Sequence, residues 1–186
     1  MKRGVASILL IAILALIPCL PTLAEGNSTG AINITMTPVE TLIAIELSPT
    51  EWVMGNVTAN TTYKTDPEAT WCSINNTGTV KVDLGIKGED ACNSTYRWVL
   101  SNDGTNDGLG SQPEYALWYH IASDSAGNYT VINTTDKPME KGGENITLEV
   151  SKGKQFGLRL LTPVSLPSEY IGKEMETTIT ISAVRP

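Results

Sequence analysis

A single histidine among 186 residues, His120, leaves little room for the chemistry that most often marks an enzyme. Histidine clusters for metal binding are excluded, and there is no His-Glu-x-x-His, no Gly-x-Ser-x-Gly and no cysteine–histidine pair. His120 shares a strand face with Ala116 and Trp118, so it reads as a packed or surface strand residue rather than a general base. Only a carboxylate pair, whose members meet in the fold, stays open as a route to catalysis, and the expectation is that the protein is not an enzyme. Basic residues are few: 13 Lys and Arg stand against 20 Asp and Glu, giving a formal net charge of -7 with no basic cluster. Such a surface repels nucleic acid and anionic lipid, so neither is an expected partner. No internal repeat, low-complexity linker or helical periodicity interrupts the chain.

What the sequence has in excess is glycosylation motifs. Nine of its twelve asparagines stand at Asn-x-Ser/Thr: Asn27, Asn33, Asn56, Asn60, Asn75, Asn93, Asn128, Asn133 and Asn145. Ser and Thr form about a fifth of the chain, so chance would place roughly two or three there. N-linked glycans require passage across a membrane and a solvent-facing site. The amino terminus supplies the route. Lys2 and Arg3 precede an apolar run from Val5 to Ile17, then Pro18 and the small residues ending at Ala24, the pattern of a secretory signal peptide. The run is shorter than the roughly 20 residues a membrane-spanning helix needs, and no second one follows. The expected order is a signal peptide over 1–24, a leader over 25–38 and one domain over 39–186, secreted to the extracellular space or cell surface and free of the membrane after cleavage.

Cleavage removes Cys19 and leaves Cys72 and Cys92, an even number in an oxidising compartment, which predicts a disulfide. Closing a loop of about twenty residues would contribute on the order of 3 kcal/mol. A pair of small buried thiols is the alternative. Period-two alternation dominates the remaining chain and means strands. Val80, Val82, Leu84 and Ile86 share one face, as do Ile146, Leu148 and Val150, Phe156, Leu158 and Leu160, and Met175, Thr177, Ile179, Ile181 and Ala183. Further strands are predicted over 42–47, 52–58, 69–74, 96–100, 115–121 and 129–133, with short helical turns between 165 and 174. About ten short strands with turn-rich connections predict an all-β fold, a single jelly-roll-like β-sandwich.

Ahead of that domain, Ala31-Ile32-Asn33-Ile34-Thr35-Met36 alternates cleanly between a glycine-containing leader and Pro38. It either pairs with its own sheet or reaches into a neighbouring subunit as a donor strand. Three buried apolar side chains at about 1.5 to 3 kcal/mol each, with a ladder of main-chain hydrogen bonds, would make that contact durable. Donor and acceptor surfaces differ, so such contacts build open filaments.

The signal peptide and leading strand, the stretch Ala44-Ile45-Glu46-Leu47-Ser48, then Ser73-Ile74-Asn75-Asn76-Thr77-Gly78-Thr79-Val80-Lys81-Val82, and the closing alternation from Thr177 to Ala183 resemble the secreted TasA/camelysin-like proteins. The pattern is similar, too, to archaeal extracellular bundling pili and threads. The resemblance implies a jelly-roll-like subunit whose leading strand fills a groove in the next copy, a homopolymer of the kind found at archaeal cell surfaces and in biofilms. The protease label of the camelysin branch does not carry over, because the zinc motif is missing. The leading expectation is a glycosylated filament subunit, and its alternative a monomeric adhesion or carbohydrate-binding domain. Trp52, Trp71, Trp98 and Trp118 read first as core, with a sugar-stacking platform as the alternative. Asp103, Thr105, Asp107 and Glu114 fall at calcium-loop spacing, but turn residues between strands account for the same sequence, and no cofactor is expected.

Overall fold

The computed structural model describes residues 35–38, 40–65, 70–107, 112–122 and 128–186. The signal segment, the sequons Asn27 and Asn33, and Ala31 to Ile34 of the candidate donor strand lie outside the described residues. The chain divides into two units, 1–38 and 39–186. In the first, residues 35–38 take no strand, and Met36 is 81% exposed.

The second unit is all-β. Its strands are β1 (Ile45–Ser48), β2 (Thr62–Lys64), β3 (Cys72–Asn76), β4 (Val82–Gly88), β5 (Ala91–Cys92), β6 (Arg97–Leu100) and β7 (Glu114–Ile121). They continue with β8 (Thr130–Val131), β9 (Lys137–Pro138), β10 (Glu140–Lys141), β11 (Glu144–Asn145), β12 (Thr147–Leu148), β13 (Gly153–Leu161) and β14 (Ile179–Val184). The larger sheet runs β1-β3-β13-β7-β6-β5, with β2 also beside β13 and β8 beside β7. The smaller runs β12-β4-β14, with β9 also on β4, and β10 and β11 form a separate hairpin. Among the described residues, all pairings are antiparallel except β6 with β7. The two sheets curl around one core in the manner of a β-sandwich.

The alternation in the sequence becomes the two inner faces. Val82, Leu84 and Ile86 of β4 are buried with Phe156, Leu158 and Leu160 of β13 and Tyr115, Leu117, Tyr119 and Ile121 of β7. Phe156 to Leu161 pairs with Ile121 back to Ala116, so β7 and β13 form the longest ladder of the larger sheet. A short 3-10 turn at Ser168–Tyr170 falls within the stretch where helical turns are predicted.

Three expectations differ from the structure. The predicted strand over 52–58 is a loop, in which Trp52, Met54 and Val57 pack half-buried against the core. Gly55 sits at φ 65, in the left-handed region, and breaks the extended run. Val150 does not continue the inward row of Ile146 and Leu148. It is 42% exposed because the chain reverses there, with Ser151 at φ 59 and a Lys152 N–H bond to the Glu149 carbonyl at 3.1 Å. The expected Cys72–Cys92 bridge is not formed, and both are free thiols. Cys72 lies on β3 opposite Phe156 and Cys92 on β5 opposite Arg97, with β13, β7 and β6 between those strands. A disulfide needs Cα atoms within about 7 Å, and neighbouring strands alone lie about 4.8 Å apart.

Candidate functional site

Seven sequons fall on described residues, and their side chains sort by role. Asn56, Asn60, Asn75, Asn93, Asn128 and Asn145 are exposed. Asn133 is half-buried, its Oδ1 shielded from solvent with no partner among the described residues, while its carbonyl accepts from Gly88 N–H at 2.8 Å. The three asparagines outside sequons all hold the fold together. Asn102 Oδ1 accepts from Thr134 N–H at 2.9 Å, and Asn106 Nδ2 donates to the Thr162 carbonyl at 2.7 Å. Asn76, 1% exposed, donates through Nδ2 to the carbonyls of Val80 and Leu148 and accepts from Gly78 N–H.

The adjacent pair Asn75-Asn76 shows the physical basis of this division. On β3 successive side chains leave opposite faces of the sheet, so Asn76 enters the interior and Asn75 stands outside. Asn75 lies between Glu46 of β1 and Gly153 of β13, and a side chain at Gly153 would collide with its amide oxygen. Ser73, Asn75, Ala122, Gly153, Lys154 and Gln155 line an open depression of about 500 Å³ there. Gly78 supports the inner partner, since a Cβ at that position would strike the Leu42 carbonyl. The Asn76-x-Gly78 element thus closes the turn into β4, while the N-terminal approach to β1 passes directly over it.

No family model, curated protein or solved structure matches this chain.

The loop at Asp103 is a hydrogen-bonded turn rather than an open oxygen cage. Asp103 Oδ1 accepts from Ser101 Oγ at 2.7 Å, Thr105 N–H at 2.9 Å and Thr105 Oγ1 at 2.7 Å. Glu114 instead opens β7 beside Val99. Among the described residues, no group of three or more His, Cys, Asp or Glu is placed to hold a metal ion. These donors, led by the Ser101 hydroxyl, lower the Asp103 carboxyl to about 2. A depressed carboxyl contributes to the turn fully above its ordinary value and loses that contribution as pH falls through the folded one. An NMR titration is expected to give Asp103 a midpoint near 2, with the Thr105 amide shift moving in step. A midpoint at the ordinary value near 3.8 would mean that the turn does not hold the charge.

The tryptophans provide no open platform for a sugar. Trp98 and Trp118 are 6% and 7% exposed, and Trp52 packs half-buried against the core. Trp71 is half-buried over Gly157 and meets the edge of His120, with ring centroids 5.5 Å apart. His120 is 7% exposed, with Nδ1 2.8 Å from the Asn128 carbonyl. Arg159 lies over the rings of Trp118 at 4.0 Å and Tyr129 at 4.5 Å, and burial there pushes its guanidinium below the ordinary arginine range. The outer face of β7 is therefore covered too, with Ala116, Trp118 and His120 at most 7% exposed. Strand alternation alone does not reveal this layer, although the nearly unbroken run Tyr115 to Ile121 carries its signal.

Proposed function

We propose that this chain is a secreted, N-glycosylated β-sandwich subunit of an extracellular filament, joined head to tail when residues 31–36 of one copy add as a strand to the sheet of the next. One observation carries the reading: the described end of that alternating segment takes no strand and holds Met36 81% exposed, so its apolar character goes unused there. The sheets supply the complementary feature, because the larger ends on β1 and the smaller on β14. Six exposed sequons spread over loops and outward strand positions suit a fibre surface coated with hydrophilic sugar. The likeness to TasA/camelysin-like proteins and archaeal surface threads agrees with this reading.

Electron microscopy of the mature protein from the extracellular fraction is the direct test. Fibres with density passing from the leading segment of one subunit into its neighbour are the expected result. Monodisperse particles with Ile32, Ile34 and Met36 packed in their own domain would replace the filament with a monomeric adhesion domain.

A further inference from the structure

We infer that the open edge of β14, rather than that of β1, receives residues 31–36 of a second copy of this chain. The inference rests on the filament reading and goes further by choosing the acceptor. Both strands are half-buried and, among the described residues, paired on one side only: β1 with β3 and β14 with β4. They differ in what guards the open edge.

Edge strands escape unwanted pairing through charge, proline or cover. β1 carries Glu46 on its outward face and is followed directly by Pro49, which has no N–H to offer. Its neighbour β3 places the exposed sequon Asn75 opposite Glu46, so a glycan there stands beside β1. β14 carries none of these devices within the strand itself, although Arg185 and Pro186 follow it directly as Pro49 follows β1. Ile179-Thr180-Ile181-Ser182-Ala183-Val184 contains no charge and no proline, and the sequence has no asparagine after Asn145. The whole 146–186 stretch is therefore free of N-linked sugar.

The inward row of β14 also needs further cover. Ile179, Ile181 and Ala183 pack against the core but are only partly buried, whereas Ile86 and Leu84, which face Ile181 and Ala183 on β4, are 1% and 2% exposed. Val164, Ile171 and Val184, from the same asparagine-free stretch, are 47%, 70% and 56% exposed. A strand laid along β14 would cover the inward row. Residues 31–36 match β14 in length at six residues, carry no charge and place Ile32, Ile34 and Met36 at alternate positions of the sequence.

Thiol cross-linking of assembled fibres tests the choice. In a C72S/C92S background, Thr35→Cys is combined in turn with Thr178→Cys just before β14, Thr180→Cys or Ser182→Cys along it, and with Glu46→Cys or Ser48→Cys along β1. With strands about 4.8 Å apart and a rise of about 3.4 Å per residue, a bismaleimide of roughly 10 Å reach spans at least one pair in any register. The expected result is a ladder of dimers and higher oligomers on a denaturing gel from at least one β14 combination and from neither β1 combination. Fibres that ladder only through β1, or through neither strand, overturn the β14 assignment and leave the filament reading standing. Cross-links confined to monomers show that the strand folds back on its own copy and overturn the intersubunit contact. Absence of fibres from the parent protein removes the filament reading, and this inference with it.

Discussion

Replacing Asn76 by alanine is expected to lower the unfolding free energy by about 3 kcal/mol, among the largest effects of any single polar substitution in the domain. The side chain is 1% exposed and joins three segments, with Nδ2 2.8 Å from the Val80 carbonyl and 3.1 Å from that of Leu148, and Oδ1 2.9 Å from Gly78 N–H. Alanine strands all three partners, and each buried group left unsatisfied costs about 1 to 3 kcal/mol. The backbone of Asn76 keeps its own bonds to Lys152 and Ser151, so the loss is confined to the side chain. Thermal unfolding should fall by roughly 6–12 °C for a domain of this size. Asn75→Ala, one residue away but on the outer face, should stay within about 0.5 kcal/mol once glycans are removed from both proteins. Equal effects at the two positions would mean that the inside–outside division of β3 is wrong.

Deleting residues 25–37 is expected to abolish fibre formation while leaving the unfolding midpoint of the domain nearly unchanged. The core is built from Ile74 to Leu160 with partly buried partners between Ile45 and Ala183, all of them within the second unit. Met36, the described member of the apolar row, is 81% exposed. On the filament reading, the segment adds its apolar row to a neighbour rather than to its own domain, so the two readouts separate. Electron microscopy reports assembly, and calorimetry of the dispersed protein reports stability. A truncated protein that unfolds many degrees lower would show that the segment belongs to its own sheet.

The strands that carry a sequence signal of two faces were readable from the chain. β4, β7 and β13 lie where alternation places them, β14 takes up only 179–184 of the alternation expected from 174 onward, and on β4 and β13 the inward residues are those that period two selects. The loop over 52–58 was not readable, because Trp52 and Met54 follow the same period but Gly55 turns the backbone and Val57 returns out of phase. The covered outer face of β7 was only partly readable, since Arg159 and Trp71 come from other strands and loops.

Composition and local order by themselves determined that the chain is all-β, which faces of its longer strands are apolar, and that nine asparagines stand in glycosylation motifs, because each is a property of neighbours along the chain. Only the tertiary structure decided that Cys72 and Cys92 stand apart as free thiols, that Asn76 turns inward to tie three segments together, and that the smaller sheet ends on β14. Those outcomes depend on strand order. Pairing is settled by which distant segments close over a shared core at least entropic cost, and residues two apart carry no record of that choice.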